Sequence, residues 1–173
     1  DGRRLWAYQG GDRIYATPTL AGDVALVCGC DSRLHAFDLA DGRPRRTIEL
    51  GGYAVANPLV VGGAVVAATL AGTVEAFTLA DGRALWTYDG IAGGAEVFAS
   101  PVLADGRIIV GARDGAVHAI DAATGRGAWT FATGDAIDGT AAVRDGRAYV
   151  TSGDGRLYVL DVRTGRELWR YAV

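Results

Sequence analysis

Residues 119–129 read Ala119-Ile120-Asp121-Ala122-Ala123-Thr124-Gly125-Arg126-Gly127-Ala128-Trp129, and they decide the fold because their pattern returns along the chain. A glycine followed four residues later by tryptophan occurs as Gly2/Trp6, Gly82/Trp86, Gly125/Trp129 and Gly165/Trp169, and Gly42 joins the series with Arg46 in the tryptophan place. From Gly2 these glycines step by 40, 40, 43 and 40 residues. Two residues beyond the tryptophan place stand Tyr8, Ile48, Tyr88, Phe131 and Tyr171. A second series, Pro18, Pro58, Pro101 and then Ala141, keeps the same phase at steps of 40, 43 and 40. Two registers in phase establish an internal repeat, and a repeat governs the fold ahead of every other signal.

Within one unit the pattern is short strands divided by turn residues. In the third unit Ala99 to Leu103 reads as a first strand, Arg107 to Ala112 as a second, Ala116 to Asp121 as a third and Gly127 to Thr133 as a fourth. The turns between them are Ala104-Asp105-Gly106, Arg113-Asp114-Gly115 and Ala122-Ala123-Thr124-Gly125, where Asp and Gly suit tight reversals. Four strands in about 40 residues make one blade of a β-propeller, and a leading proline suits the start of a strand, where its missing donor costs least. No stretch holds a helical apolar rhythm, which excludes a helical solenoid, and the Gly-His opening and Trp-Asp ending of the WD type are absent. The predicted fold is all-β: a β-propeller arc of four four-stranded blades at residues 12–52, 53–93, 94–135 and 136–173. Residues 1–11 are expected to end a preceding blade and to carry a leading fourth-type strand at about residues 3–8. Because the last unit also keeps its own fourth strand, Glu167 to Val173, the arc is expected to belong to a ring of about seven or eight blades. Further blades or another copy of the chain would then cover its open edges.

Composition narrows the function. Half of the residues are hydrophobic and 21% are charged, as in ordinary globular proteins. The net charge is -3, and the 17 basic residues are all arginines scattered through the repeats, so no basic stripe exists to follow phosphates and nucleic acid is not an expected partner. No apolar run approaches the roughly 18 to 20 residues that span a bilayer. Cys28 and Cys30 stand two apart on one strand, too far apart for easy disulfide geometry.

The Ala119-x-Asp121-x-x-x-Gly125-x-x-x-Trp129 pattern resembles the tryptophan-docking motif of quinoprotein propellers. The first repeat keeps Ala36, Asp38 and Gly42; the second keeps Ala76, Gly82 and Trp86 with Thr78 for the aspartate; the fourth keeps Asp161, Gly165 and Trp169 with Val159 for the alanine. The chain as a whole is similar to the PQQ-like repeat family, quinoprotein-type and BamB-like. The resemblance implies that Trp6, Trp86, Trp129 and Trp169 wedge between blades, each contributing on the order of 2 to 3 kcal/mol by area. At Arg46 the wedge is missing, and the interface there is expected to be weaker or to use the arginine stem and guanidinium. It also implies an extracytoplasmic place, in the periplasm or at the cell surface, and a non-catalytic role as a protein-interaction scaffold or ligand-sensing module of the bacterial cell envelope. The alternative it implies is a segment of a PQQ-dependent alcohol or sugar dehydrogenase, the one reading that brings PQQ and calcium as cofactors.

The residues themselves offer little chemistry. His35 and His118 fall at one repeat position, with Glu75 and Tyr158 in the other units, and a position that accepts all three types is expected to be a half-exposed strand face. Cys28-Gly29-Cys30 aligns with positions that do without sulfur, and the recurrent Asp-Gly pairs serve hairpins and lack the dense spacing of a calcium loop. No catalytic or metal-ligating set emerges. The loops between blades depart from the repeat and are therefore free to carry function. They supply Arg13, Tyr15, Tyr53, Glu96, Phe98, Asp135 and Asp138 as candidate contacts for a protein partner or small ligand, and the longest of them, Gly90 to Phe98, holds the three-residue insertion. Thr17, Asn57, Ser100 and Thr140, each before the proline place, are expected to line the mouth of a central channel.

Overall fold

The computed structural model describes residues 1–172, in which sixteen strands form four separate antiparallel sheets. The first holds β1 (Thr19–Ala21), β2 (Val24–Gly29), β3 (Arg33–Asp38) and β4 (Pro44–Glu49), and the second holds β5 (Leu59–Val61), β6 (Ala64–Ala68), β7 (Val74–Thr78) and β8 (Ala84–Tyr88). The third holds β9 (Val102–Ala104), β10 (Arg107–Gly111), β11 (Ala116–Asp121) and β12 (Gly127–Ala132), and the fourth β13 (Ala142–Arg144), β14 (Arg147–Ser152), β15 (Arg156–Asp161) and β16 (Glu167–Ala172). In every sheet the strand order follows the chain, as in a propeller blade. The expected last residue of the final strand and blade, Val173, lies outside the described residues.

The blades stack face to face, and the alternation of side chains along each second strand assigns them to one interface or the next. Val65 and Ala67 of β6 pack with Leu26, Cys28 and Leu34 of the first blade, whereas Val66 and Ala68 pack with Ile108 and Val110 of the third. Ile109 of β10 turns the other way, toward Ala148, Val150 and Leu160 of the fourth. The central residues of these strands are apolar because both of their faces are covered, so the core is a slab at each interface between blades rather than one centre, with a small further cluster of Ala25, Val27 and Phe37 under Trp6. The first strands of successive blades lie side by side at the inner edge. Just before them a chain of hydrogen bonds passes from blade to blade: Thr17 N to Asn57 Oδ1 (2.6 Å), Asn57 N to Ser100 Oγ (3.0 Å) and Ser100 N to Thr140 Oγ1 (3.0 Å).

At the far ends of the blades, each turn between third and fourth strands repeats one geometry. Asp121 N bonds Arg126 O, Gly125 N bonds Asp121 O, and the Asp121 carboxylate accepts from Thr124 Oγ1 (2.7 Å) and the Thr124 amide (2.9 Å). Those bonds, the Thr124 hydroxyl first, hold the Asp121 carboxyl below the usual carboxylate range. The turn leaves Gly125 at φ +72, and a Cβ there would stand 2.6 Å from Cδ2 of Trp86, which lies flat on it from the preceding blade. The Trp86 indole donates to Ala122 O (3.3 Å); likewise Trp6 lies on Gly42 and donates to Leu39 O (3.1 Å), and Trp129 lies on Gly165 and donates to Val162 O (2.9 Å). On Gly82 the indole is replaced by the stem of Arg46, whose Cδ would come within 2.9 Å of a Cβ. Trp169 has no following blade among the described residues and is 46% exposed.

Two expectations are corrected. Residues 3–8 form no strand, because among the described residues no third strand precedes them to pair with; Trp6 is placed by its contact with the first blade alone. The position of His35, Glu75, His118 and Tyr158 is buried rather than half-exposed. Each polar tip finds a partner in the turn between the second and third strands of its own blade. His35 Nε2 meets Asp31 Oδ2 (2.9 Å), Thr73 Oγ1 donates to Glu75 Oε1 (2.7 Å), His118 Nε2 meets Asp114 Oδ2 (3.0 Å) and Tyr158 donates to Asp154 Oδ2 (2.5 Å). In three blades an acid of this group then accepts an amide from the loop entering the blade: Gly51 N to Glu75, Ala92 N to Asp114 and Gly134 N to Asp154. These acids fasten the loops. The aromatic two residues past the tryptophan place covers the same tip from the preceding blade, with Tyr88 Oη 3.0 Å from His118 Nδ1 and Phe131 edge-on to Tyr158.

Removing the ring of Trp129 with Trp129→Ala is expected to lower unfolding free energy by about 3 kcal/mol, whereas Trp169→Ala and Arg46→Ala, which remove no covered indole, cost about 1 kcal/mol or less. Denaturant melts of the three variants check this. Burial pushes the His118 imidazole below its ordinary range against the pull of Asp114. Unfolded His118 takes up its proton near pH ~6.5 and folded His118 only at lower pH, so the unfolded state holds more protons in between. Stability is therefore expected to fall as pH drops below about 6.5, and urea melts between about pH 6.5 and 5 should show a shallower fall for His118→Gln.

Candidate functional site

The loops that enter the blades and the turns between second and third strands share one face, and backbone bonds fix them to each other. Cys30 N donates to Arg13 O (2.9 Å), Leu70 N to Tyr53 O (2.7 Å), Arg113 N to Glu96 O (3.0 Å) and Gly153 N to Ala136 O (2.8 Å). Two residues after each of these acceptors the chain carries Tyr15, Val55, Phe98 and Asp138, one from each blade. These four converge, with Cys30 and Leu70 from the turns, around an open hollow of about 640 Å³. Its wall is mainly apolar, and its charged end is built by Arg113. The Arg113 guanidinium grips Asp138 through Nε (2.9 Å) and Nη2 (3.1 Å), reaches Glu96 through Nη1 (3.0 Å) and covers the Phe98 ring at 4.1 Å from its centroid. The guanidinium holds the Asp138 carboxyl below the usual carboxylate range. Two carboxylates share one guanidinium, which leaves the cluster with a net negative charge.

Of the residues expected from the sequence, the hollow thus gathers Tyr15, Phe98 and Asp138, with Glu96 joined through Arg113. Tyr53 lies in a smaller neighbouring hollow of about 240 Å³ that shares Leu70 with the first. Arg13 and Asp135 are exposed on the same loops but line neither; the Asp135 carboxylate caps its own neighbour, the Ala136 amide (2.7 Å). The inserted loop is anchored by buried Ile91 and Val97 around a single 3-10 turn, Ala92–Gly94. Sequence reasoning missed Cys30, Val55, Leu70 and Arg113. The signal was present in the repeat itself, since Cys30, Leu70 and Arg113 occupy one aligned position and Tyr15, Val55, Phe98 and Asp138 another. Neither thiol is activated: burial, with the Asp31 charge, pushes Cys28 up to about 12, and partial burial beside Asp12 raises Cys30. Among the described residues no group of three or more His, Cys, Asp or Glu side chains could hold a metal ion, and no helix is long and apolar enough to cross a membrane.

Comparison with known proteins agrees with this architecture. No curated protein sequence matches the chain. Among solved structures it is similar to BamB from Moraxella catarrhalis, with a TM-score of 0.84 and 30% identity over 98% of this chain and 53% of that one. The chain therefore spans about half the length of that relative. The quinohemoprotein alcohol dehydrogenase ADHIIG from Pseudomonas putida HK5 superposes with a TM-score of 0.84 at 18% identity, covering 95% of this chain and 35% of that one. The computationally designed Ika4 protein does so with a TM-score of 0.82 at 18% identity, covering 94% and 99%. At such identities the last two show a common fold. The sequence profile described as outer membrane protein assembly factor BamB matches residues 1–104 and 92–173, so the chain belongs to that family of PQQ-like repeat β-propellers.

Proposed function

We propose that this chain is a non-catalytic interaction module of the bacterial cell envelope that holds a protein partner on the loop face. The observation that carries this reading is the convergence of Tyr15, Val55, Leu70 and Phe98, one or more from each of the first three blades, on a single apolar hollow with Asp138 of the fourth at its edge. Aromatic and aliphatic side chains in a fixed concavity, rimmed by charge, are what protein interfaces use as anchors. The family description and the similarity to BamB support an extracytoplasmic, outer-membrane-associated setting.

A dehydrogenase segment would need carboxylates free to hold a cation beside the quinone. Two of those on this face do not fit that task, since Asp138 and Glu96 are both engaged by Arg113. At 18% identity the likeness to a quinohemoprotein dehydrogenase carries the fold alone. Placing a photo-cross-linking benzoylphenylalanine at Tyr15 in the native host protein, and at Arg144 on the opposite face as a control, tests the interaction. A discrete protein adduct from position 15 and none from position 144 is the expected result. Absence of any adduct, together with saturable PQQ and calcium binding that is lost on Asp138→Ala, would replace this function with the dehydrogenase one.

A further inference from the structure

The face opposite the loops carries four turn glycines on which a preceding residue lies, and three of these are covered by an indole. The exception is Gly82, where the repeat brings Arg46. Beside it an open hollow of about 400 Å³ runs between the first and second blades, bounded by Ala36, Leu79, Ala80, the carboxylate residue Asp23 and the two arginines Arg45 and Arg46. The matching groove between the second and third blades is bounded by Trp86 and measures about 330 Å³.

Three details show what is missing from the larger one. First, the alanine opposite each wedge is sealed where a tryptophan pairs with it, at 1% exposure for Ala76 under Trp86 and 0% for Ala119 under Trp129, but Ala36 opposite Arg46 is 7% exposed and lines the hollow. Second, Leu39, Ala122 and Val162 each accept an indole N–H through the backbone carbonyl, while the carbonyl at the same repeat position, Leu79, receives no donor among the described residues. Third, Arg45 is held by Asp23 and Asp38, whereas Arg46 makes no ion pair among the described residues. The place therefore keeps the alanine and the carbonyl acceptor of an indole seat, with its glycine covered by the Arg46 stem, and adds a cation that has no ion-pair partner among the described residues, the Asp81 carboxylate lying within its electrostatic reach.

We propose that this hollow takes a tryptophan side chain supplied by a partner polypeptide, flanked by an acidic residue. The indole lies against Ala36 and the stem of Arg46, donates its N–H to the Leu79 carbonyl, and the neighbouring carboxylate pairs with the Arg46 guanidinium. The site is on the face away from the loop hollow and stands whether or not that hollow binds a partner.

The test uses the intact chain and a capped peptide, Gly-Ser-Trp-Glu-Ser-Gly, titrated by calorimetry and by amide chemical shifts. Saturable binding is expected, with shifts centred on residues 36, 46 and 79. Replacing Trp by Ala in the peptide should weaken it by about tenfold or more, and replacing Glu by Arg by about fivefold. Arg46→Trp supplies the ring from within the chain, so it should abolish peptide binding while raising the melting temperature, and Ala36→Leu should weaken binding by filling the floor. No binding at millimolar peptide, equal binding of the Ala peptide, binding that survives Arg46→Trp, or an Arg46→Trp protein that is less stable than the parent each overturns the proposal.

Discussion

An indole lying flat on a glycine of the next blade is the contact on which the rest of this structure rests. It works only because three conditions meet in one turn. The glycine carries no Cβ where a ring atom stands about 2.5 Å from the Cβ position, its φ is positive, and a carbonyl three residues before the glycine is left free to take the indole N–H. The Asp and Thr of the turn exist to hold that shape, since their hydrogen bonds satisfy the amides that the sharp reversal would otherwise strand. Once the contact is made, neighbouring sheets are held at a distance where branched side chains of the second strands interlock.

The same arrangement divides the blade into two ends with different obligations. The end with the tryptophan contacts must repeat, because each blade has to receive the wedge residue of the one before it, an indole in three cases and the Arg46 stem in the fourth. The loop end is tied down by backbone bonds and by buried acids such as Asp114 and Asp154, which ask little of the surrounding side chains. Tyr15, Val55, Phe98 and Asp138 can therefore differ completely at one structural position without cost to the fold. The hollow on that face is the product of this freedom.

The fold was legible in the sequence because its cause is periodic: a 40-residue step of glycine and tryptophan can be read without any knowledge of contacts. Strand content and the count of four blades follow from it, whereas the forward direction in which the rings lie on the next blade is seen only in the contacts. The loop residues Tyr15, Phe98 and Asp138 were legible as departures from the repeat, but Arg113 was not. Its role depends on reaching two carboxylates and a ring from different loops, and such convergence is a matter of distance that spacing along the chain does not encode. His118 misled for a related reason. A position that tolerates His, Glu and Tyr looks exposed until the turn acid four residues earlier, Asp31, Asp114 or Asp154 in three of the blades, is seen to satisfy the polar tip inside the protein.

Because Trp6, Trp86 and Trp129 each point forward onto the following blade, the contact is head-to-tail, with a donor surface and a different acceptor surface on each unit. A head-to-tail contact closes into a ring only when the rotation from unit to unit divides a full circle. The thickness of whatever lies on the turn glycine helps to set that rotation. A flat indole and an arginine stem are wedges of different thickness, so the contact from first to second blade, where Arg46 lies on Gly82, is built differently from the others. Curvature in this architecture is thus a sum over individual wedge residues, and one substitution at a wedge position is a change in the geometry of closure as well as in the strength of one interface.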